Sequence, residues 1–69
     1  MDMEAYTQFE IARIESYLES IKRSVNNNTS LDAKEKEEII RLTARLYNDE
    51  IDYLERNPED YYALYTHQQ

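Results

Sequence analysis

The fold is determined by the segment Asn26-Asn27-Asn28-Thr29-Ser30-Leu31-Asp32. Asparagine tolerates the left-handed backbone conformation found at helix ends, and these short polar side chains compete for backbone hydrogen bonds, so a helix ends here. The next helix begins at once, because Asp32 is an N-cap and Glu35 completes an Asp-x-x-Glu variant of the capping box. Ser30 and Thr29 are alternative caps. We therefore predict a turn over residues 26–32 between two helices.

The segment before this turn has the apolar spacing of a coiled-coil helix. No helix-breaking residue occurs in residues 2–25, and apolar side chains recur at alternating steps of three and four. These positions are Ile11, Ile14, Leu18, Ile21 and Val25. A second set widens the face at the start of the helix, namely Met3, Tyr6, Phe9, Arg13 and Tyr17. The pattern predicts a helix over residues 2–25 whose apolar face exceeds what one neighbouring helix covers.

The segment after the turn predicts a second helix over residues 33–56. Its apolar side chains again have a helical period, at Ile39, Ile40, Leu42, Leu46, Tyr47, Ile51, Tyr53 and Leu54. This stripe is broader than a two-helix contact needs, so the helix is expected to touch two neighbours. Two helices of equal length, each roughly 36 Å long, fold back most simply as an antiparallel hairpin.

The sequence Asn57-Pro58-Glu59-Asp60 predicts a short third helix over residues 58–66. Asparagine is suited to the N-cap, proline to the first helical position, and acids to the first turn, where the helix dipole favours them. The helix would carry Tyr61, Tyr62, Leu64 and Tyr65. Its apolar side either covers an end of the hairpin or reaches across to a second chain. Beyond Thr66 we expect fraying.

Composition favours an all-α, single-domain protein that associates with itself. The 69 residues include no glycine and one proline, which disfavours tight β-hairpins. So small a domain is marginally stable, and with no cysteine and one histidine it has neither a disulfide framework nor a Cys/His zinc site. We therefore expect two copies to pair into a four-helix bundle. The residues assigned to self-association are Ile11, Ile14, Leu18, Ile21, Val25, Ile39, Leu42 and Leu46.

Charge and hydropathy limit the possible partners. No uncharged stretch approaches the length of a membrane span, and the first residues do not have the pattern of a signal peptide. We expect a cytoplasmic protein without membrane contact. Fifteen acids against eight bases give a net charge of −7, which disfavours nucleic acid and anionic membranes and attracts a basic partner. A basic patch near the turn stays open as an alternative, formed by Lys22, Arg23, Lys34, Lys36, Arg41 and Arg45.

The excess of acids is carboxy-terminal. Residues 31–46 hold four acids and four bases, whereas residues 47–69 hold six acids and one base, interspersed with tyrosines. Tyrosine is enriched where proteins bind proteins, and carboxylates select basic partners. We predict a partner-binding surface composed of Asp49, Glu50, Asp52, Tyr53, Glu59, Asp60, Tyr61 and Tyr62. Alternatively, Tyr47, Tyr53 and one of Tyr61 or Tyr65 pack in the core, and the acids only keep the surface solvated.

Catalysis and metal binding find little support in the residue list. His67 has neither a cysteine nor a second histidine with which to form a nucleophile-base pair or a histidine-rich metal site. Asp49, Glu50, Asp52 and Glu55 lack the glycine-containing loop of an EF-hand and are better explained as solvated surface. We expect no enzyme activity and no cofactor.

Three functions remain. The leading hypothesis is a small regulator, adaptor or inhibitor that binds a basic protein surface through the acidic, tyrosine-bearing region. The second is a nucleic-acid mimic whose carboxylates occupy the phosphate-binding groove of a DNA- or RNA-binding enzyme. The third is a purely structural helical subunit of a larger assembly.

Overall fold

A computed structural model describes residues 2–66, which form three α-helices. These are α1 (Met3–Asn26), α2 (Ala33–Arg56) and α3 (Pro58–Thr66). The described residues contain no strand, which confirms the all-α prediction. The first helix begins and ends one residue later than the predicted range of 2–25. His67 and the fraying expected after Thr66 lie outside the described residues.

The start of α2 is held by a complete capping box. The Glu35 backbone N–H donates to the Asp32 carboxylate at 2.8 Å, and the Asp32 backbone N–H donates to the Glu35 carboxylate at 3.1 Å. Two donors that no helical carbonyl can reach are thereby satisfied. Asp32, rather than Ser30 or Thr29, is the cap.

The end of α1 differs from the conformation expected of its asparagines. Asn27 has φ −86°, and no residue in the described range has a positive φ, so the left-handed termination is wrong. Instead, the N–H groups of Asn27 and Asn28 donate to the carbonyls of Arg23 and Val25, which continues the right-handed turn for one more step. The Asn28 side-chain oxygen then accepts the Ser30 N–H at 2.8 Å and reverses the chain.

A lysine fastens the two long helices at the turn. Lys36 Nζ, in the first turns of α2, donates to the Asn26 carbonyl oxygen at the end of α1, at 2.9 Å. A cation is stabilised there because the last carbonyls of a helix carry partial negative charge. The contact connects the end of α1 to the start of α2.

The core lies at the end of the hairpin away from the turn, where the three helices meet. Ile14 of α1, Leu54 of α2 and Tyr61 of α3 form its buried centre. Four partly buried side chains pack around it, Tyr6, Ile11, Tyr47 and Ile51. Contacts between early α1 and late α2 make the hairpin antiparallel, and the molecule measures 45 × 21 × 17 Å. The third helix therefore covers an end of the hairpin within its own chain.

The residues that the sequence assigned to self-association differ in how deeply they are buried in the structure. Ile14 and Leu18 are buried inside the chain, and the remaining α1 positions, Ile11, Ile21 and Val25, are partly buried. These residues are unavailable or only partly available to a second copy, because the apolar face of α1 packs against α2 of the same chain. On α2, by contrast, Ile39, Leu42 and Leu46 are exposed.

Candidate binding surface

The antiparallel hairpin brings three helix termini to one end of the molecule. The start of α1, the end of α2 and the start of α3 meet around Pro58, which lines two shallow grooves. One groove, of about 380 Å³, is lined by Met3, Glu4, Thr7, Gln8, Glu55 and Pro58. The other, of about 290 Å³, is lined by Arg56, Asn57, Pro58, Glu59 and Asp60. Each groove has carboxylates on its rim.

Six exposed carboxylates are concentrated here, and we call them the acidic end: Asp2, Glu4, Asp52, Glu55, Glu59 and Asp60. Arg56 is the one base among the described residues of α2 and α3 in this region, and its Nε lies 3.3 Å from Asp52 Oδ1. Both partners are largely exposed, so this ion pair adds little stability and leaves the end strongly negative.

Three members of the acidic end, Asp2, Glu4 and Glu55, are absent from the surface predicted from the sequence. Asp2 and Glu4 stand at the opposite end of the chain from the predicted surface, and Glu4 shares a groove with Glu55. The position of Asp2 and Glu4 could have been predicted, since an antiparallel hairpin with helices of equal length places its first residues beside the end of the second helix.

The predicted partner-binding residues fall into three levels of exposure. Asp49, Asp52, Tyr53, Glu59 and Asp60 are exposed, while Glu50 and Tyr62 are partly buried. Tyr61 is only 1% exposed, so its assignment to a surface is wrong. It packs with Ile14 of α1 and Leu54 of α2 and serves as a core residue.

Tyrosines attach α3 to the hairpin. The Tyr61 ring lies 4.5 Å from the Tyr65 ring and 6.4 Å from the Tyr53 ring, measured between centroids. Tyr6 and Tyr62 meet edge to face at 5.1 Å. These separations lie in the range in which aromatic pairs add stability beyond area burial. Most of the tyrosines near the acidic end therefore position α3.

Two of these tyrosines resist ionisation. Burial, followed by the nearby Glu50 charge, raises the pKa of Tyr61 well above its usual range. Burial also raises the pKa of Tyr65, whose hydroxyl donates to Glu50 Oε1 at 3.1 Å. The Tyr61 hydroxyl is buried and finds no hydrogen-bond partner among the described residues. An unpaired buried hydroxyl lowers the stability of the fold.

Arg13 occupies the flank of the tyrosine cluster. Its Nε donates to Glu10 Oε2 at 2.8 Å, and its guanidinium carbon lies 5.5 Å from the centre of the Tyr17 ring. The hydrogen bond to Glu10 is the main reason why the pKa of Arg13 is raised. The cation is thus held in place by a carboxylate and an aromatic face, and it is not free to neutralise the acidic end.

Three of the six bases near the turn make polar contacts within the chain. Lys22 pairs with Glu19 at 3.3 Å, Arg41 pairs with Glu38 at 3.0 Å, and Lys36 donates to the end of α1. Acids are interspersed among these bases, so the turn half of the molecule is close to neutral. A basic nucleic-acid interface is poorly supported by this arrangement.

An exposed apolar stripe lies on the first half of α2, and we call it the α2 stripe: Ile39, Leu42 and Leu46. Their exposed fractions are 36%, 48% and 70%. Beside them is an open groove of about 490 Å³ lined by Lys34, Glu35, Glu38, Ile39 and Leu42. Further along the same face, Tyr53 meets Tyr61 of α3. The α2 stripe itself has no such cover within the described residues.

The described residues show neither a metal-binding cluster nor a helix that could span a membrane. Within the described residues, no three His, Cys, Asp or Glu side chains come together in a way that would hold a metal ion. None of the described helices is both long enough and apolar enough to cross a membrane.

Comparison of the chain with protein-family models, curated proteins and solved structures gives no match.

Proposed function

We propose that the chain is a small, cytoplasmic, non-catalytic interaction protein that binds a basic surface of a partner protein through its acidic end. The observation that supports this proposal is the convergence of carboxylates from all three helices around two grooves. Among the described residues of α2 and α3, Arg56 is the one base nearby. Such a patch speeds encounter with a positively charged partner and rejects negatively charged ones.

The acidic end has features of a recognition surface as well as charge. All the exposed carboxylates except that of Asp2 lie on helices, which hold them at fixed spacing, and the two grooves can receive basic side chains between them. Tyr53 is 44% exposed on the same part of α2 and supplies an aromatic contact. Asp49 extends the negative surface along α2.

The experiment is affinity capture from a lysate of the source cells with two variants of equal charge. The first neutralises Glu55 and Glu59 to glutamine, and the second neutralises Glu15 and Glu37, which are exposed outside the acidic end. We expect the native chain and the control to retain the same basic protein and the acidic-end variant to lose it. Retention of every partner by both variants would refute the surface assignment.

We further propose that two copies of the chain associate, with their hairpins forming a four-helix bundle. The buried core of the described residues is small, consisting of Ile14, Leu18, Leu54 and Tyr61. The α2 stripe remains open to solvent, and covering it would add to a marginal core. Sedimentation at micromolar concentration tests this proposal, and a monomer at every concentration would contradict it.

The nucleic-acid mimic is less well supported. A mimic of a phosphate backbone would carry carboxylates along the 45 Å length of the molecule, whereas the acids here gather at one end and the turn half is nearly neutral. Competition between DNA or RNA and this chain for the captured partner would favour the mimic. Binding unaffected by nucleic acid would favour recognition of a protein surface.

A further inference from the structure

We infer that two copies of the chain pair through Ile39 and Leu42 of the α2 stripe in an antiparallel arrangement, with a two-fold axis passing between Ile40 and Arg41. This inference specifies the surface and the register of the self-association proposed above, and it rests on that proposal. Three observations carry it: the shape of the groove beside the stripe, the charges that flank it, and the extent to which α3 covers the same face.

The groove has the shape of a coiled-coil hole. Four of its lining residues are Glu35, Glu38, Ile39 and Leu42, which are spaced at i, i+3, i+4 and i+7 along α2. Four residues with this spacing form the hole that receives one apolar side chain from a facing helix. In an antiparallel pair, a hole centred on Ile39 receives the partner's Leu42. The two-fold axis makes the contact reciprocal, since Leu42 then enters the partner's hole.

The flanking charges select this register. With the axis between Ile40 and Arg41, Glu38 faces the partner's Arg45, and this attractive pair occurs twice. In the described residues Arg45 has no ion pair within its own chain, and Glu38 is paired only with Arg41. Sliding one helix by a heptad would place Arg45 against the partner's Arg45 and Glu38 against the partner's Asp52. Like charges at these positions oppose that register.

The net charge selects the antiparallel direction. Each chain carries −7, with six acids and one base in residues 47–69 and balanced charges in residues 31–46. A parallel pair would place the two acidic ends side by side, and their repulsion would oppose association. The antiparallel pair brings together the neutral halves and sends the two acidic ends in opposite directions.

The third helix does not cover the part of α2 that the partner's α2 would contact. Tyr53 and Glu50, later on α2, contact Tyr61 and Tyr65 of α3. In the proposed register the partner's α2 begins opposite Asn48, so the two α2 helices overlap over residues 33–48, roughly 24 Å. The overlap ends before the part of α2 that α3 occupies. Because it is short, we expect a reversible dimer in the micromolar range.

The Leu42→Glu variant tests whether the α2 stripe forms the dimer interface, and Phe9→Glu is its control. Both side chains are exposed, at 48% and 68%, so neither change should unfold the chain, and circular dichroism checks helicity. We expect Leu42→Glu to weaken the dimer at least tenfold in sedimentation and Phe9→Glu to leave it within twofold. A dimer indifferent to Leu42→Glu would overturn the assignment of this face.

The register is tested by charge reversal. Glu38→Arg and Arg45→Glu should each weaken the dimer several-fold, because each places like charges against one another. The double variant should restore most of the lost affinity, since it recreates the pair with opposite polarity. Failure of the double variant to recover would overturn the register.

A spin-label distance gives a direct check. With Glu55→Cys labelled in each chain, the proposed pair separates the two sites by roughly 44 Å along the helix axis, compared with about 33 Å or about 54 Å after a one-heptad slip in one direction or the other. A parallel pair in register would bring the two labelled sites to within about 10 Å of each other. A distance near 44 Å supports the inference, and any of the other distances overturns it. A monomer at all concentrations would overturn both this inference and the proposed self-association. It would leave the proposed binding of a basic partner through the acidic end intact, because affinity capture tests that proposal separately.

Discussion

At the scale of single residues, Tyr61 has two opposing roles. Its ring fills the junction of the three helices, where it stacks with Tyr65, while its hydroxyl is buried without a hydrogen-bond partner among the described residues. The ring stabilises the fold and the hydroxyl destabilises it. These contributions are separable, because phenylalanine keeps the ring and removes the oxygen.

We expect Tyr61→Phe to raise the free energy of unfolding by about 1 kcal/mol, because it removes an unpaired buried polar group. Tyr61→Ala should lower it by about 3 to 5 kcal/mol, since it leaves a cavity in the small core. Urea denaturation followed by circular dichroism measures both. Tyr53→Phe, at a 44% exposed site, is the control and should change little. A destabilised Tyr61→Phe would mean that the hydroxyl has a partner.

The same tyrosines predict sensitivity to alkaline pH. Burial raises the pKa of Tyr6, Tyr61 and Tyr65 in the folded chain, whereas in the unfolded chain they ionise near pH 10. Above about pH 10 the unfolded state therefore releases protons first, and stability falls as pH rises. Melting temperatures at pH 8 and pH 11 should show this fall, and it should be shallower in Tyr61→Phe. An equal fall in that variant would contradict the assignment to Tyr61.

At the scale of helices, local sequence signals account for the turn and its flanks. The capping box of α2 involves neighbours three residues apart, so Asp32 and Glu35 could be predicted from the chain alone. The conformation of Asn27 could not, because the left-handed preference of asparagine is weak and the helix instead continued by one right-handed step.

We expect Asp32→Ala to lower the free energy of unfolding by about 1 kcal/mol, because the Glu35 N–H would lose its acceptor. Ser30→Ala is the matched control, since Ser30 was an alternative cap that the structure does not use. It should change stability by only a few tenths of a kcal/mol. A larger effect at Ser30 than at Asp32 would mean that α2 begins earlier.

The packing of the helices against one another decides which apolar residues are buried, and this could not be predicted from the sequence. Helical periodicity marks which residues are apolar but not which neighbour covers them. Ile14 and Leu18 therefore shared one assignment with Leu42, although only the first two are buried within the chain. Likewise, Tyr61 and Tyr62 are adjacent in the sequence, and only the packing of α3 decides that Tyr61 lies inside.

At the scale of the whole molecule, charge and apolar surface are separated along the long axis. The acidic end gathers carboxylates of all three helices, and the α2 stripe lies on the nearly neutral half beside the turn. In the proposed pair, the stripes meet at the centre and the two acidic ends point outward. Such a dimer would present two equivalent binding surfaces and would gain avidity on a partner with repeated basic sites.

Binding of a basic partner by the acidic end is tested by measuring the affinity of the captured partner. Titrations at low and high salt would compare the native chain with the Glu55→Gln, Glu59→Gln variant and the Glu15→Gln, Glu37→Gln control. We predict that the acidic-end variant binds at least tenfold more weakly at low salt, that the control stays within twofold, and that the difference shrinks at high salt as the charges are screened. Equal weakening by both variants would mean that only net charge matters, and it would contradict the acidic end as the binding surface.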